Sequence, residues 1–144
     1  MLEYLVKMTV IDSTNLIVGR LATNVAKRAL LGEDINIVNC EKAILTGRKE
    51  SILKKYRERR DRGNPLKGPF ISFMPDRFVR RIVRGMLPYK QEKGRIAYKK
   101  VMCYLGVPDK FKNQKVETVE SADVTNSKNT KFIDVETLTK LIRK

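Results

Sequence analysis

Arg77, Arg80, Arg81 and Arg84 fall within one short stretch, Asp76–Leu87. At 100° per residue they share an arc of about 100° on a helix, and Phe78, Val79, Ile82, Val83, Met86 and Leu87 cover the opposite side. A solvated helix face normally mixes cations with acids four residues apart, and no acid is interleaved here. Packed arginines repel one another unless an anion lies along them, and the planar guanidinium matches phosphate with two parallel hydrogen bonds. The chemistry these residues can do is therefore phosphate binding from one helix face, with the other face buried.

Further basic groups flank this stretch. Lys54, Lys55, Arg57, Arg59, Arg60 and Arg62 spread around more of a helix circumference. Glu50–Lys54 and Glu58–Arg62 stand in register to pair there, which would leave part of that helix an ordinary charged surface. Thr46-Gly47-Arg48-Lys49 follows a strand pattern and opens a helix, so free backbone N–H groups and the cations Arg48 and Lys49 can seat a phosphate. The loop Gly63–Pro75 brings Lys67 near Phe70 and Phe73, which can stack on unpaired bases or anchor the loop under the fold. Lys90, Lys93, Arg95, Lys99 and Lys100 surround another helix start.

These groups concentrate the charge of the chain. Of the net charge of +15, residues 48–100 hold +13, from eighteen Lys/Arg against five Asp/Glu, and residues 1–47 are neutral. One surface is built to meet a polyanion, and a nucleic-acid backbone rewards each cation with released counterions. Other classes lack their residues. There is no histidine, which removes the usual zinc sites and the most frequent general base. Asp76 can cap its helix or pair with Arg80, and Glu50 and Glu58 have partners in register. Too few carboxylates then remain for a metal or acid–base pair. Gly-x-Gly-x-x-Gly and the Walker spacing are both absent. No apolar run reaches the length of a membrane span, and Met1-Leu2-Glu3 does not open a signal peptide, so a cytoplasmic location is expected. Cys40 and Cys103 sit in apolar runs and read as buried small hydrophobes.

The elements that must position these groups are legible in part. Leu5–Ile11 alternates as a strand, Leu16–Leu31 has helical spacing closed by Gly32, and Ile35–Asn39 reads as a buried strand. Strand, helix and strand in this order imply a βαβ unit with a parallel pair. Ala43–Thr46 and Val101–Leu105 are further strands, and Arg48–Asp61, Asp76–Leu87 and Glu92–Lys100 are helices. Lys110–Lys131 is polar and poorly periodic, as an extended arm would be. Asp134 can cap a last helix. One domain is expected over 1–144, with a core to residue 108, a polar arm over 109–131 and a terminal helix over 132–144.

Four ordered segments carry a family resemblance. They are Leu16-Ile17-Val18-Gly19-Arg20-Leu21-Ala22; Ile37-Val38-Asn39-Cys40-Glu41-Lys42-Ala43-Ile44-Leu45-Thr46-Gly47-Arg48-Lys49; Arg84-Gly85-Met86-Leu87-Pro88; and Val101-Met102-Cys103-Tyr104-Leu105-Gly106. Together they resemble the large-subunit ribosomal protein L13 family, in its archaeal and eukaryotic form. The resemblance implies a three-layer α/β/α sandwich around a small, largely parallel four-stranded sheet. It also implies binding to large-subunit ribosomal RNA beside neighbouring ribosomal proteins, support of subunit assembly, and no catalysis, cofactor, metal, membrane or small-molecule substrate. The alternative from the same residues is a free-standing RNA-binding translational regulator. Because Arg80 and Arg81 are expected to point away from the core, changing both to Glu is expected to spare the fold and prevent incorporation into large subunits.

Overall fold

A computed structural model describes residues 7–143. Leu5 and Val6, the expected start of the first strand, and the terminal Lys144 lie outside the described residues, as does Met1-Leu2-Glu3. The first strand, β1 (Met8–Asp12), leads through a turn into α1 (Val18–Leu30), and β2 (Asp34–Val38) returns beside β1 in parallel, with Thr9 opposite Ile35 and Ile11 opposite Ile37. This is the βαβ unit that the sequence implied. Gly32, at a φ of 101°, takes the left-handed position that ends α1.

The chain continues through β3 (Ile44–Thr46), α2 (Lys49–Asp61), α3 (Pro75–Gly85), α4 (Glu92–Lys99) and β4 (Val101–Cys103). It then runs through β5 (Val116–Glu117) and β6 (Phe132–Asp134) into α5 (Val135–Arg143). The main sheet has the order β4-β2-β1-β5, and every pairing in it is parallel. Among the described residues the fold is α/β, a four-stranded parallel sheet with five α-helices, consistent with a three-layer sandwich. Its two faces are unequal. Ile11, Ile35 and Ile37 point into the main core with Leu21 and Val25 of α1, Val79 and Val83 of α3, and Leu138 and Ile142 of α5. The opposite face is closed by a smaller cluster of Val10, Val38 and Phe111, with Tyr104 against it.

Two expected elements take other places. The strand read at Ala43–Thr46 stays out of the main sheet: β3 pairs antiparallel with β6, Leu45 opposite Ile133. The fourth strand of the main sheet is β5, from the segment read as a polar arm. It holds Val116 opposite Val10 and Glu117 opposite Ile11. That segment lies against the body of the fold. Ala122 is buried, its carbonyl accepts from Ile17 N–H at 2.7 Å, and Glu117 lies 3.4 Å from Arg28. At the last helix, Asp134 accepts the Thr137 hydroxyl at 2.9 Å, which anchors the expected cap residue at the start of α5.

Cys40 and Cys103 are both free and buried, one beyond the end of β2 and the other on β4. Hydrogen bonding with the Cys40 thiol, and burial, push the Cys103 thiol well above its ordinary value. Cys103 is therefore a neutral thiol near pH 7 and an inert part of the core.

Candidate nucleic-acid interface

The amphipathic pattern of α3 becomes a two-sided helix. Phe78, Val79 and Val83 are buried, and Arg77 and Arg81 are exposed. The stripe does not act as one unit. Arg80 folds back against the sheet edge: its Nε donates to the Val101 carbonyl at 2.9 Å, its Nη2 to the Tyr98 carbonyl at 3.3 Å, and its guanidinium lies 4.0 Å from the Tyr98 ring centroid. The expectation that Arg80 points away from the core is corrected: it joins α3 to α4 and β4. Asp76 neither pairs with Arg80 nor caps α3. Its Oδ1 is buried without a hydrogen-bond partner, in the first helical turn, where the helix dipole favours negative charge.

The other sequence-predicted cations divide in the same way. Arg60 pairs with Asp61 at 3.1 Å and donates to the Ile142 carbonyl near the end of α5, so it ties α2 to α5. Lys100 donates to the Gly32 carbonyl at 3.0 Å, beyond the end of α1. Glu50 and Glu58 form no ion pair among the described residues, so the expected pairs with Lys54 and Arg62 are absent there. Arg48, Lys49, Lys54, Lys55, Arg57, Arg59, Arg62, Lys67, Lys90, Lys93 and Lys99 are exposed, and none is in an ion pair among the described residues. The net charge of this face is the same as with the pairs formed, but these cations are not held by acids of the fold among the described residues.

Three concavities gather these cations. Between α2, α3 and the loop after α2, a cleft of about 440 Å³ joins Arg59, Arg62 and Arg81 over a floor that includes Tyr56, Phe78 and Ile82. That floor is built by the contact of α2 with α3, where the Tyr56 and Phe78 rings meet at 5.2 Å. Arg59 lies 5.2 Å from the Tyr56 ring centroid. Burial raises the Tyr56 phenol above its ordinary value against the opposing effect of Arg59, so the hydroxyl keeps its proton at neutral pH. At the α3–α4 corner, a depression of about 460 Å³ is lined by Arg84, Tyr89, Lys90, Arg95, Tyr98 and Lys99. Arg84 stacks 4.1 Å from the Tyr89 ring centroid, and Arg95 donates to the Tyr89 carbonyl at 3.2 Å. Neither concavity has an acidic lining residue.

The third, of about 520 Å³, lies at the start of α2 and includes Gly47, Arg48, Lys49 and Lys131. Gly47 N–H donates to the Lys131 carbonyl at 2.9 Å, so pairing of β3 with β6 brings Lys131 to the predicted phosphate seat. By sequence Lys131 belongs to the polar arm, Tyr56 counts among the apolar residues of the helix over Arg48–Asp61, and Tyr89 and Tyr98 have no assigned role. The tyrosines do carry a signal, since each stands among Lys and Arg on or beside a predicted helix. Lys131 carries none, because a long-range strand pairing brings it there. In the loop, Leu66, Phe70 and Lys67 are all exposed, so the loop aromatics are not all tucked beneath the fold.

The family described as ribosomal protein L13 matches residues 6–110. A relative from Methanosarcina barkeri, named Large ribosomal subunit protein uL13, is 46% identical over 129 residues, covering 89% of this chain and 92% of the relative. The chain belongs to the ribosomal protein L13 family. Proteins of the same name from Methanococcus maripaludis and Archaeoglobus fulgidus are 52% identical over 106 residues and 43% over 126. The first alignment covers 71% of this chain and 77% of the relative, and the second covers 87% and 81%. The family segments occupy structural junctions: Leu16–Ala22 opens α1, Ile37–Lys49 runs from β2 through β3 into α2, Arg84–Pro88 ends α3, and Val101–Gly106 holds β4 and the turn after it. The family match ends before β5, β6 and α5.

Proposed function

We propose that this protein is a structural constituent of the large ribosomal subunit that binds large-subunit ribosomal RNA through its Lys/Arg-rich face and supports subunit assembly. The observation that carries the reading is the pair of acid-free basic concavities sharing α3, in a chain whose relatives are named large-subunit proteins. Cations from α2, α3 and α4 reduce repulsion between RNA segments that pack against each other, and the rigid fold fixes their spacing. Phosphate contacts supply most of the affinity, and RNA shape supplies selectivity. The direct contacts are assigned to Arg48, Lys49, Lys54, Lys55, Arg59, Arg62, Lys67, Arg77, Arg81, Arg84, Lys90, Lys93, Arg95 and Lys99. Arg60, Arg80 and Lys100 are positioning residues that raise the local potential while holding helices together. The role is non-catalytic, the location is the cytoplasmic ribosome, and neighbouring ribosomal proteins are the other partners.

Sedimentation of a lysate on a sucrose gradient before and after a high-salt wash tests this. Salt-resistant migration with the large subunit is expected, because packed RNA segments and neighbouring proteins would enclose the protein in an assembled subunit, whereas binding to a free RNA fragment follows charge screening. Recovery only in light fractions would overturn the reading.

A further inference from the structure

We propose that the cleft between α2, α3 and the loop that joins them receives a single unpaired RNA nucleotide, with its base against the Tyr56–Phe78 floor and its flanking phosphates on Arg59, Arg62 and Arg81. This rests on the RNA-binding reading above and adds a site of a different kind to the phosphate-binding surface. The cleft volume of about 440 Å³ falls in the range of small-ligand sites, which suits one nucleotide. Its lining is of two kinds. The floor is apolar and aromatic, with Phe78 buried and Tyr56 half-buried, while the cations are three arginines with no carboxylate among the lining residues.

A surface meant only for phosphates needs no apolar floor. An apolar peptide segment, for its part, gains nothing from three unneutralised guanidinium groups. An extruded nucleotide matches both, because its base is a flat apolar ring system and its two phosphates are anions. The guanidinium of Arg59, already over Tyr56, extends the stacking surface.

Gly85 adds an independent observation. It ends α3 and lines the cleft, and a Cβ built there meets nothing within 4 Å. Neither packing nor backbone conformation requires glycine at this helical position, where alanine has the higher propensity. The missing side chain leaves the cleft open.

The test uses the full chain and two RNA hairpins, one fully paired and one identical except for a single bulged 2-aminopurine. The expected result is quenching of the 2-aminopurine on binding, and about tenfold tighter binding of the bulged hairpin, the size of one base–aromatic stack. Gly85→Leu fills the cleft and leaves every charge in place. It is expected to abolish the quench and the preference while changing affinity for the paired hairpin less than about twofold. Equal binding of both hairpins without quenching by the unaltered protein would overturn the nucleotide site alone, and does so whether or not Gly85→Leu folds. Failure to bind either hairpin would overturn the RNA reading as well. A photo-crosslinker placed at Ser72 in assembled subunits is expected to join RNA; joining a neighbouring protein instead would give the cleft to a peptide and overturn the proposal.

Discussion

Arg80 and Arg81 are adjacent in sequence and opposite in role. Both lie within the arc that α3 turns away from its apolar face, and that arc is legible from spacing. The carbonyls of Tyr98 and Val101 that capture Arg80 come from α4 and β4, and no local pattern announces them. Arg80→Ala leaves these carbonyls without their charged donor and removes the stack on Tyr98, so it is expected to destabilise by about 1–3 kcal/mol. Arg81→Ala is expected to stay within about 0.5 kcal/mol, because Arg81 is exposed and in no ion pair among the described residues. Urea denaturation of the two variants separates them, and equal midpoints would return Arg80 to the solvent-facing group. Asp12 offers a second test at this scale. Burial alone would raise its carboxyl, but the Thr14 hydroxyl and amide, the Asn39 amide and the Lys42 charge hold it below its ordinary value of 3.8. A lowered carboxylate contributes stability that is complete above the unfolded value and fades as pH falls through the folded one. Asp12→Ala is expected to cost about 1 kcal/mol at pH 7, modest because the group is partly exposed, with the difference shrinking below about pH 4. A constant difference from pH 7 to pH 3 would remove the charge from the account.

Among the elements, α4 shows why a propensity reading and a packing reading give opposite signs. Gly94 lies in the interior of α4, where alanine would ordinarily gain about 1 kcal/mol. Here the turn before the helix runs against it, and a Cβ at Gly94 would overlap the Pro88 carbonyl and crowd Tyr89 N. Gly94→Ala is therefore expected to lower the melting temperature, by several degrees for a net loss of about 1–2 kcal/mol. It should also weaken RNA binding, because the displaced turn carries Tyr89, on which Arg84 stacks and to which Arg95 donates. A raised melting temperature would show that the turn yields freely. The same distinction explains which elements were legible. The spacing of α1 and α3 reports burial of one continuous face, and both helices form where expected. The strand β5 is only two residues long with Val116 exposed, so it has no alternation to read. The residues of β3 do form a strand, but their partner is chosen by β6, far along the chain. The cleft between α2 and α3 is likewise a tertiary product: its Arg and Tyr residues are visible in sequence, and their convergence is not.

For the whole molecule, one charge distribution sets two responses of opposite sign. Alone, the protein holds a net charge of +15, most of it on residues 48–100, and like charges brought together by folding repel. Salt shortens the reach of that repulsion, from a Debye length of about 10 Å at 0.1 M to about 3 Å at 1 M. The free protein is therefore expected to melt at a higher temperature in 0.5 M than in 0.05 M sodium chloride. In the proposed complex with RNA the same cations would release counterions, and added salt would reverse that gain. If six or more phosphates are neutralised, affinity should fall at least about a thousandfold between 0.05 and 0.2 M salt. Thermal melts and binding titrations over one salt series measure both slopes. A protein stabilised by internal ion pairs would instead lose melting temperature with salt. The few pairs among the described residues join Arg28, Arg60, Lys112 and Lys140 to acids, and of these only Arg60 lies in the basic middle segment. A falling melting temperature would mean that the middle segment is neutralised within the fold, and the polyanion would then lose its reason to bind there. A rising one, with steep loss of RNA affinity, would mean that the fold is completed electrostatically by its partner.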